Sequence, residues 1–222
     1  MKKILLLLSS ILFILNVDAQ KDSIPAQLYT PDFKFNEGLY LNMMQVKFNN
    51  PVPKTRIVSK DNYKSLDFFN KLVENEKIVY FDTLGIQHEI FSKDIWGFSR
   101  GGALYINWNN EFNRVGLVGN ICHFVANKTV YQQNLYDPYN VNYSIANPTY
   151  RTTSVEMRQY LLDFQNEKVY DYEVESLEVL LMRDAALYDE FHALKRKKKE
   201  QSLFLYLRKY NEKHPLLIYT AK

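Results

Sequence analysis

Residues 78–132 read IVYFDTLGIQHEIFSKDIWGFSRGGALYINWNNEFNRVGLVGNICHFVANKTVYQ, and this stretch decides the fold. Short runs rich in β-branched and aromatic residues are punctuated by glycine and asparagine, the pattern of strands joined by tight turns. Residues 78–82 and 86–91 flank Thr83-Leu84-Gly85 and predict one hairpin; residues 94–98 and 103–108 flank Ser99-Arg100-Gly101-Gly102 and predict a second. Asn109 and Asn110 make the next turn. Residues 112–125 follow as one long strand, with Val115, Leu117, Ile121 and Val125 on one face, or as two strands broken at Gly119-Asn120. Asn127-Lys128 then turns into 129–132. None of these connections has room for a crossover helix, so the pieces must pair antiparallel in sequence order.

The pattern changes outward from this core. Toward the C-terminus, residues 135–153 are rich in Asn, Pro and Tyr and predict a loop. Ser154 is placed to cap a helix carrying Met157, Leu161, Leu162 and Phe164. From Ser176 onward Leu177, Leu180, Leu181, Leu187, Tyr188, Phe191 and Leu194 recur at helical spacing, and a further helix carries Leu203, Phe204, Leu207 and Tyr210 before Pro215 ends it. Toward the N-terminus, residues 38–41 predict a strand, and Asn42 caps a brief helix that Asn49-Asn50-Pro51 stops. Residues 55–59 are extended, and 66–73 fit helix or strand equally. Strands first and helices later predict an α+β fold, an antiparallel β-meander packed against C-terminal helices. The expected organisation is a single domain over 37–222, β-rich at 37–134 and helical at 154–213, behind an exposed lead-in at 20–36.

Composition excludes whole classes. With 46% hydrophobic and 24% charged residues, the 222-residue chain is neither disordered, collagenous nor a coiled-coil rod. The 17 Tyr and 14 Phe call for aromatic packing in a β-rich core. Cys122 stands alone, so no internal disulfide forms and the core must hold the fold by itself.

Residues 1–19 have the three-part pattern of a signal peptide: Lys2 and Lys3, an apolar run over 4–15, and small residues at Val17 and Ala19. Cleavage is expected between Ala19 and Gln20. The apolar run is too short to span a bilayer, no other segment is long enough for a transmembrane helix, and no cysteine marks a lipobox. The expected location is the periplasm or the extracellular space. Removal of Lys2, Lys3 and Asp18 lowers the net charge from +3 to +2, which selects no class of partner.

Few residues carry chemistry. Gly97-Phe98-Ser99-Arg100-Gly101 matches the G-x-S-x-G elbow of hydrolases, but a strand pattern follows Ser99 where that chemistry needs a helix. The four histidines, His88, His123, His192 and His214, have no metal-binding spacing beyond an Asp189/His192 pair, so no metal or cofactor is expected. Asp184 falls inside the apolar stripe of the 177–194 helix; it is either a catalytic acid or base or, as favoured here, a buried structural carboxylate bonded to an Arg or Tyr of the sheet such as Arg114. Lys195-Arg196-Lys197-Lys198-Lys199 reads as a solvated helix C-terminus, or as a peripheral contact with anionic lipid headgroups. An exported chain has no nucleic acid to meet.

Several motifs together resemble a family of exported Bacteroidota proteins of unknown function: Asp18-Ala19-Gln20, Glu37-Gly38-Leu39-Tyr40-Leu41 with Phe48-Asn49-Asn50-Pro51, Trp96-Gly97-Phe98-Ser99 with Leu104-Tyr105-Ile106-Asn107, and Tyr210-Asn211-Glu212-Lys213-His214-Pro215. The resemblance implies export and one α+β unit, and it brings no activity. Asp22-Ser23-Ile24 and Asp82-Thr83-Leu84 also resemble the O-glycosylation sequon of that phylum, with Ser23 and Thr83 as acceptors. The expected function is a non-enzymatic binding or structural role in the envelope, toward an unidentified protein or glycan. The alternative is a small envelope hydrolase using Ser99 or Asp184.

Overall fold

Gly101 and Gly102, with φ of 58° and 82°, close a two-residue hairpin in the computed structural model, which describes residues 25–133 and 151–219. Asn109 and Asn110 do the same one strand later with φ of 54° and 63°. Both loops have the left-handed pair of conformations whose twist matches that of the flanking strands. The first hairpin is tighter than the four-residue loop expected at 99–102: Arg100 pairs with Ala103 and Ser99 with Leu104, so both are strand residues.

In chain order the elements are β1 (Ala26–Leu28), β2 (Gly38–Tyr40), α1 (Met43–Lys47), β3 (Ile57–Val58), α2 (Phe68–Glu74), β4 (Lys77–Phe81), β5 (Gln87–Phe91), β6 (Gly97–Arg100), β7 (Ala103–Trp108), β8 (Glu111–Leu117), β9 (Ile121–Gln133), β10 (Arg151–Asp163), β11 (Lys168–Asp171), α3 (Val174–Leu181), α4 (Ala185–His192), α5 (Arg196–Lys213) and β12 (Leu217–Tyr219). The fold is α+β. A seven-stranded antiparallel sheet in the order β11-β10-β9-β8-β7-β6-β2 curls into a half-barrel, with a small β3-β4-β5 sheet and a β1-β12 pair beside it.

Strand alternation divides the apolar residues of the large sheet between two faces. One face carries Leu104, Ile106, Cys122, Phe124, Tyr160 and Leu162 and is covered by Phe35, α1 and β12. The opposite face is covered in two places. At one end Phe98 meets Phe68 and Phe69 of α2 together with Ile57 and Ile78 of the small sheet. At the other, Ile121 and Leu161 meet Leu177, Leu180, Phe191 and Leu207 of the C-terminal helices.

This double coverage explains where the sequence reading fails. The helix expected from Ser154 to Phe164 is strand β10, paired with β9 over all thirteen of its residues. Because Tyr160 and Leu162 face one core and Leu161 the other, the strand ends in a continuous apolar run that mimics a helical stripe. Strand β9 also runs straight through the turn expected at Asn127-Lys128. Residues 112–125 form two strands broken around Gly119-Asn120, and a register shift at Gly116 puts Val115 and Leu117 on opposite faces. Beyond Phe124, β9 and β10 continue as a two-stranded ribbon on which Val155 and Met157 are exposed.

The described part of the lead-in, 25–36, is mostly exposed but anchored. Residues 26–28 pair with β12, a strand the sequence reading lacks, and Phe35 is buried. The ambiguous stretch 66–73 resolves in favour of helix, with α2 beginning at Phe68 after a turn at Leu66 and Asp67. The expected signal peptide, the Ala19/Gln20 cleavage point, Ser23 and residues 135–150 of the loop expected at 135–153 lie outside the described residues, and the last three residues of that loop, 151–153, belong to β10. No helix among the described residues is long and apolar enough to cross a membrane.

Candidate functional site

Asp184 is not in the middle of a helix. It has φ of −131° and stands between α3 and α4, as the N-cap of α4, where its Oδ1 accepts the Leu187 N–H at 3.1 Å. An N-cap aspartate needs no special chemistry to explain it. The expected partner, Arg114, lies elsewhere on β8. Instead Lys213 Nζ donates to Oδ1 at 2.8 Å, and His214 Nε2 lies 2.6 Å from Oδ2, both from the end of α5. Asp184 is 7% exposed, and these two donors hold its carboxyl well below the usual carboxylate range. The need of a buried acid for a donor was legible, but the expected Arg or Tyr of the sheet is replaced by a Lys and a His at the end of α5.

The motif Tyr210-Asn211-Glu212-Lys213-His214-Pro215 turns out to be a clasp. Asn211 presents its amide to the backbone of Ile121, accepting the N–H at 3.0 Å and donating to the carbonyl at 2.7 Å, as a neighbouring strand would. A Cβ on Gly119 would lie 2.4 Å from that amide, so the close approach requires glycine. Asn120 donates to the His214 carbonyl at 2.8 Å. Next to the clasp is an ion pair the sequence reading missed: Asp163, fully buried at the end of β10, accepts both arms of the Arg183 guanidinium. Burial raises the Asp163 pKa, and Arg183 with the backbone amides more than offsets this, so the carboxyl stays below its ordinary value. The signal was a carboxylate directly after the apolar run Tyr160-Leu161-Leu162.

Ser99 is fully buried in β6, and its hydroxyl donates to the Phe35 carbonyl at 3.3 Å. The preceding Gly97 is needed for packing, since a Cβ there would lie 1.9 Å from the Tyr105 carbonyl oxygen. Burial pushes the Cys122 thiol up to about 12, far from a nucleophile. His192 pairs with Glu178 at 3.2 Å and not with Asp189, and among the described residues no three acidic, His or Cys side chains gather in a way that could hold a metal.

The basic run lies at the opposite helix end from the one expected. Lys195 is the N-cap of α5 and Arg196 begins it, so the charges face an unfavourable dipole. Acidic partners offset this: Arg196 pairs with Glu175 and, at 2.9 Å, with Glu200, while Lys199 reaches Glu178 at 2.6 Å. Lys195, Lys197 and Lys198 remain exposed.

Open, polar concavity occurs along the lead-in. Thr30-Pro31-Asp32-Phe33 makes a turn, closed by the Phe33 N–H on the Thr30 carbonyl at 2.9 Å, with proline at the position that favours it. This turn separates two clefts. One, of about 490 Å³, lies between Gln27, Asp32 and Phe33 on one side and Phe48, Asn49 and Asn50 on the other. The second, of about 540 Å³, lies between the same turn and Gly102 and Arg114 of the sheet. Comparison with known proteins returns no matching family model, no matching curated protein and no matching solved structure.

The floor of the first cleft is tightly built. Helix α1 ends in paired C-terminal bonds, Asn49 N–H to the Val46 carbonyl at 3.0 Å and Asn50 N–H to the Gln45 carbonyl at 2.9 Å, with Asn49 at φ 45°. The Asn49 side chain then does more than stop the helix. Its Oδ1 accepts the Asn36 N–H at 2.7 Å and the Tyr40 hydroxyl at 2.9 Å, and Asn36 Nδ2 donates to the Asn49 carbonyl at 2.7 Å. Asn49-Asn50-Pro51 announced a helix stop in sequence; nothing in it announced the bond across to Asn36.

Proposed function

We propose that this chain is an exported envelope protein that works by binding, through the cleft between its lead-in and the end of α1. The observation that carries the reading is the contrast between two sets of polar residues. Those with catalytic potential are absorbed by the fold: Ser99 bonds to the Phe35 carbonyl and Asp184 caps α4 while joining it to α5. The side chains of Gln27, Asp32 and Asn50 around the first cleft have no bonding partner among the described residues, and they surround a volume within the range of about 300–1,000 Å³ typical of small-molecule sites. Export is supported by the pattern of residues 1–19.

Fractionation of the producing cell tests the location. The expected product is a soluble chain beginning at Gln20 in the periplasm or medium; a full-length mass in the membrane fraction refutes it. Treatment with a fluorophosphonate tests the binding role against a serine hydrolase. Labelling that disappears in Ser99→Ala would install the hydrolase in its place.

A further inference from the structure

We propose that the cleft between Asp32 and Asn50 binds a neutral sugar ring. This rests on the binding reading above and specifies its ligand.

The argument begins with Asn49, which is 8% exposed and lines the cleft. Its Oδ1 is occupied by the Asn36 N–H and the Tyr40 hydroxyl, and the N–H fixes which amide atom is oxygen. The remaining Nδ2 has no partner among the described residues. The Asn49 side chain is buried, yet its Nδ2 is not among the sealed polar atoms of the described residues, so it stands open to the cleft as a donor that water or a ligand can meet. The same bonds hold the amide rigidly, so a ligand would meet a preformed donor rather than order a loose one.

The rest of the wall narrows the chemistry. Gln27 and Asn50 each offer a donor and an acceptor, and Asp32 offers an acceptor. Lys34 is the cation of the same cleft and balances Asp32, so no net charge selects an ion of either sign. A ligand that satisfies such a wall must donate and accept at several points while staying neutral, and hydroxyl groups do both. Phe33 and Phe48 add apolar ring surface, which suits the C–H face of a pyranose and offers nothing to an inorganic ion. The neighbouring cleft, which shares Asp32 and Lys34, adds the Arg114 guanidinium, which has no partner among the described residues, and is the poorer match for a neutral ligand.

Saturation-transfer NMR of the intact protein with the methyl glycosides of glucose, galactose and N-acetylglucosamine is the test. At least one should receive saturation, and Asn50→Ala and Asp32→Ala should each weaken it about five- to tenfold, the loss expected for one hydrogen bond. Arg114→Ala, in the neighbouring cleft, should leave it unchanged. Both cleft residues are exposed, so thermal melts of the variants should match the wild type. No transfer to any glycoside, or transfer undiminished in both cleft variants, overturns the proposal. A fragment library screened by amide shifts separates this failure from that of the parent reading. Non-sugar hits at residues 27–36 and 48–50 would keep a binding cleft while removing the sugar, and silence at those amides would remove both.

Discussion

Arg183→Ala should be among the most damaging single substitutions at the C-terminal half of the fold. Asp163 has no exposed side-chain surface, whereas the Arg183 side chain is 31% exposed. The two ends of the pair therefore respond unequally to loss of their partner. Without Arg183 the carboxylate keeps only backbone donors, the Gln165 N–H at 3.1 Å and the Asn166 N–H, and no opposite charge. Stranding a buried charge in this way costs about 3–5 kcal/mol. Without the charge on Asp163, as in Asp163→Asn, the guanidinium turns to water and the cost is that of hydrogen bonds to a charged group, about 1.5–3 kcal/mol. Urea melts should order the proteins as wild type, then Asp163→Asn, then Arg183→Ala, and the larger loss should lower the melting temperature by roughly 6–20 °C. The pH dependence provides an independent check. In the wild type the folded carboxyl sits below its unfolded value, so its contribution is complete above the unfolded pKa and is lost as pH falls through the folded one. In Arg183→Ala burial is opposed only by the backbone amides of Gln165 and Asn166, so the folded value rises and that variant should recover part of its deficit as pH falls toward the carboxylate range. An Arg183→Ala protein within about 1 kcal/mol of wild type, with no such recovery, would refute the account of this pair.

Two further outcomes follow from geometry. Gly97→Ala would drive a methyl group to 1.9 Å from the Tyr105 carbonyl oxygen in the middle of the sheet; loss of soluble folded protein is expected, and a variant that melts like wild type would show that β6 and β7 lie farther apart. Asp184→Ala removes an N-cap and an acceptor shared by Lys213 and His214, whereas the exposed Asp189 has no partner of this kind among the described residues; by circular dichroism and urea midpoint the first should lose helix and stability clearly more than Asp189→Ala, and equal midpoints would remove Asp184 from its role.

The hairpins were legible because their turns are written in residue types that tolerate positive φ, Gly101-Gly102 and Asn109-Asn110 above all. The same logic gave the Asn42 cap of α1. What stayed hidden was long-range. Tyr160-Leu161-Leu162 is apolar without alternation because helices cover one side of β10 and the half-barrel core fills the other, and no local pattern distinguishes that strand from a helix. The break at Asp184 was hidden for the opposite reason. Both α3 and α4 dock on one core, so their apolar residues keep a helical rhythm across a gap that only the capping residue marks. At the candidate cleft the composition was visible, but the Asn36–Asn49 contact joins segments whose facing depends on the tertiary fold.

The pairing of β1 with β12 bears on the order in which the chain can fold. Ala26 meets Tyr219 and Leu28 meets Leu217, so three residue pairs join segments separated by about 190 residues. Bringing the ends of a free chain of that length together costs about 4–5 kcal/mol in loop entropy, more than such a short ladder returns. From β6 to β9, in contrast, the meander grows one neighbouring strand at a time through connections of two or three residues. Kinetics should therefore run from the central hairpins outward, with β1 docking only after the half-barrel has brought residue 217 within reach. During synthesis, residues 26–28 must wait unpaired until almost the last of the described residues has emerged. A circular permutant that joins these two ends and opens the chain at the exposed 83–86 loop would turn this last event into a local hairpin and should fold faster.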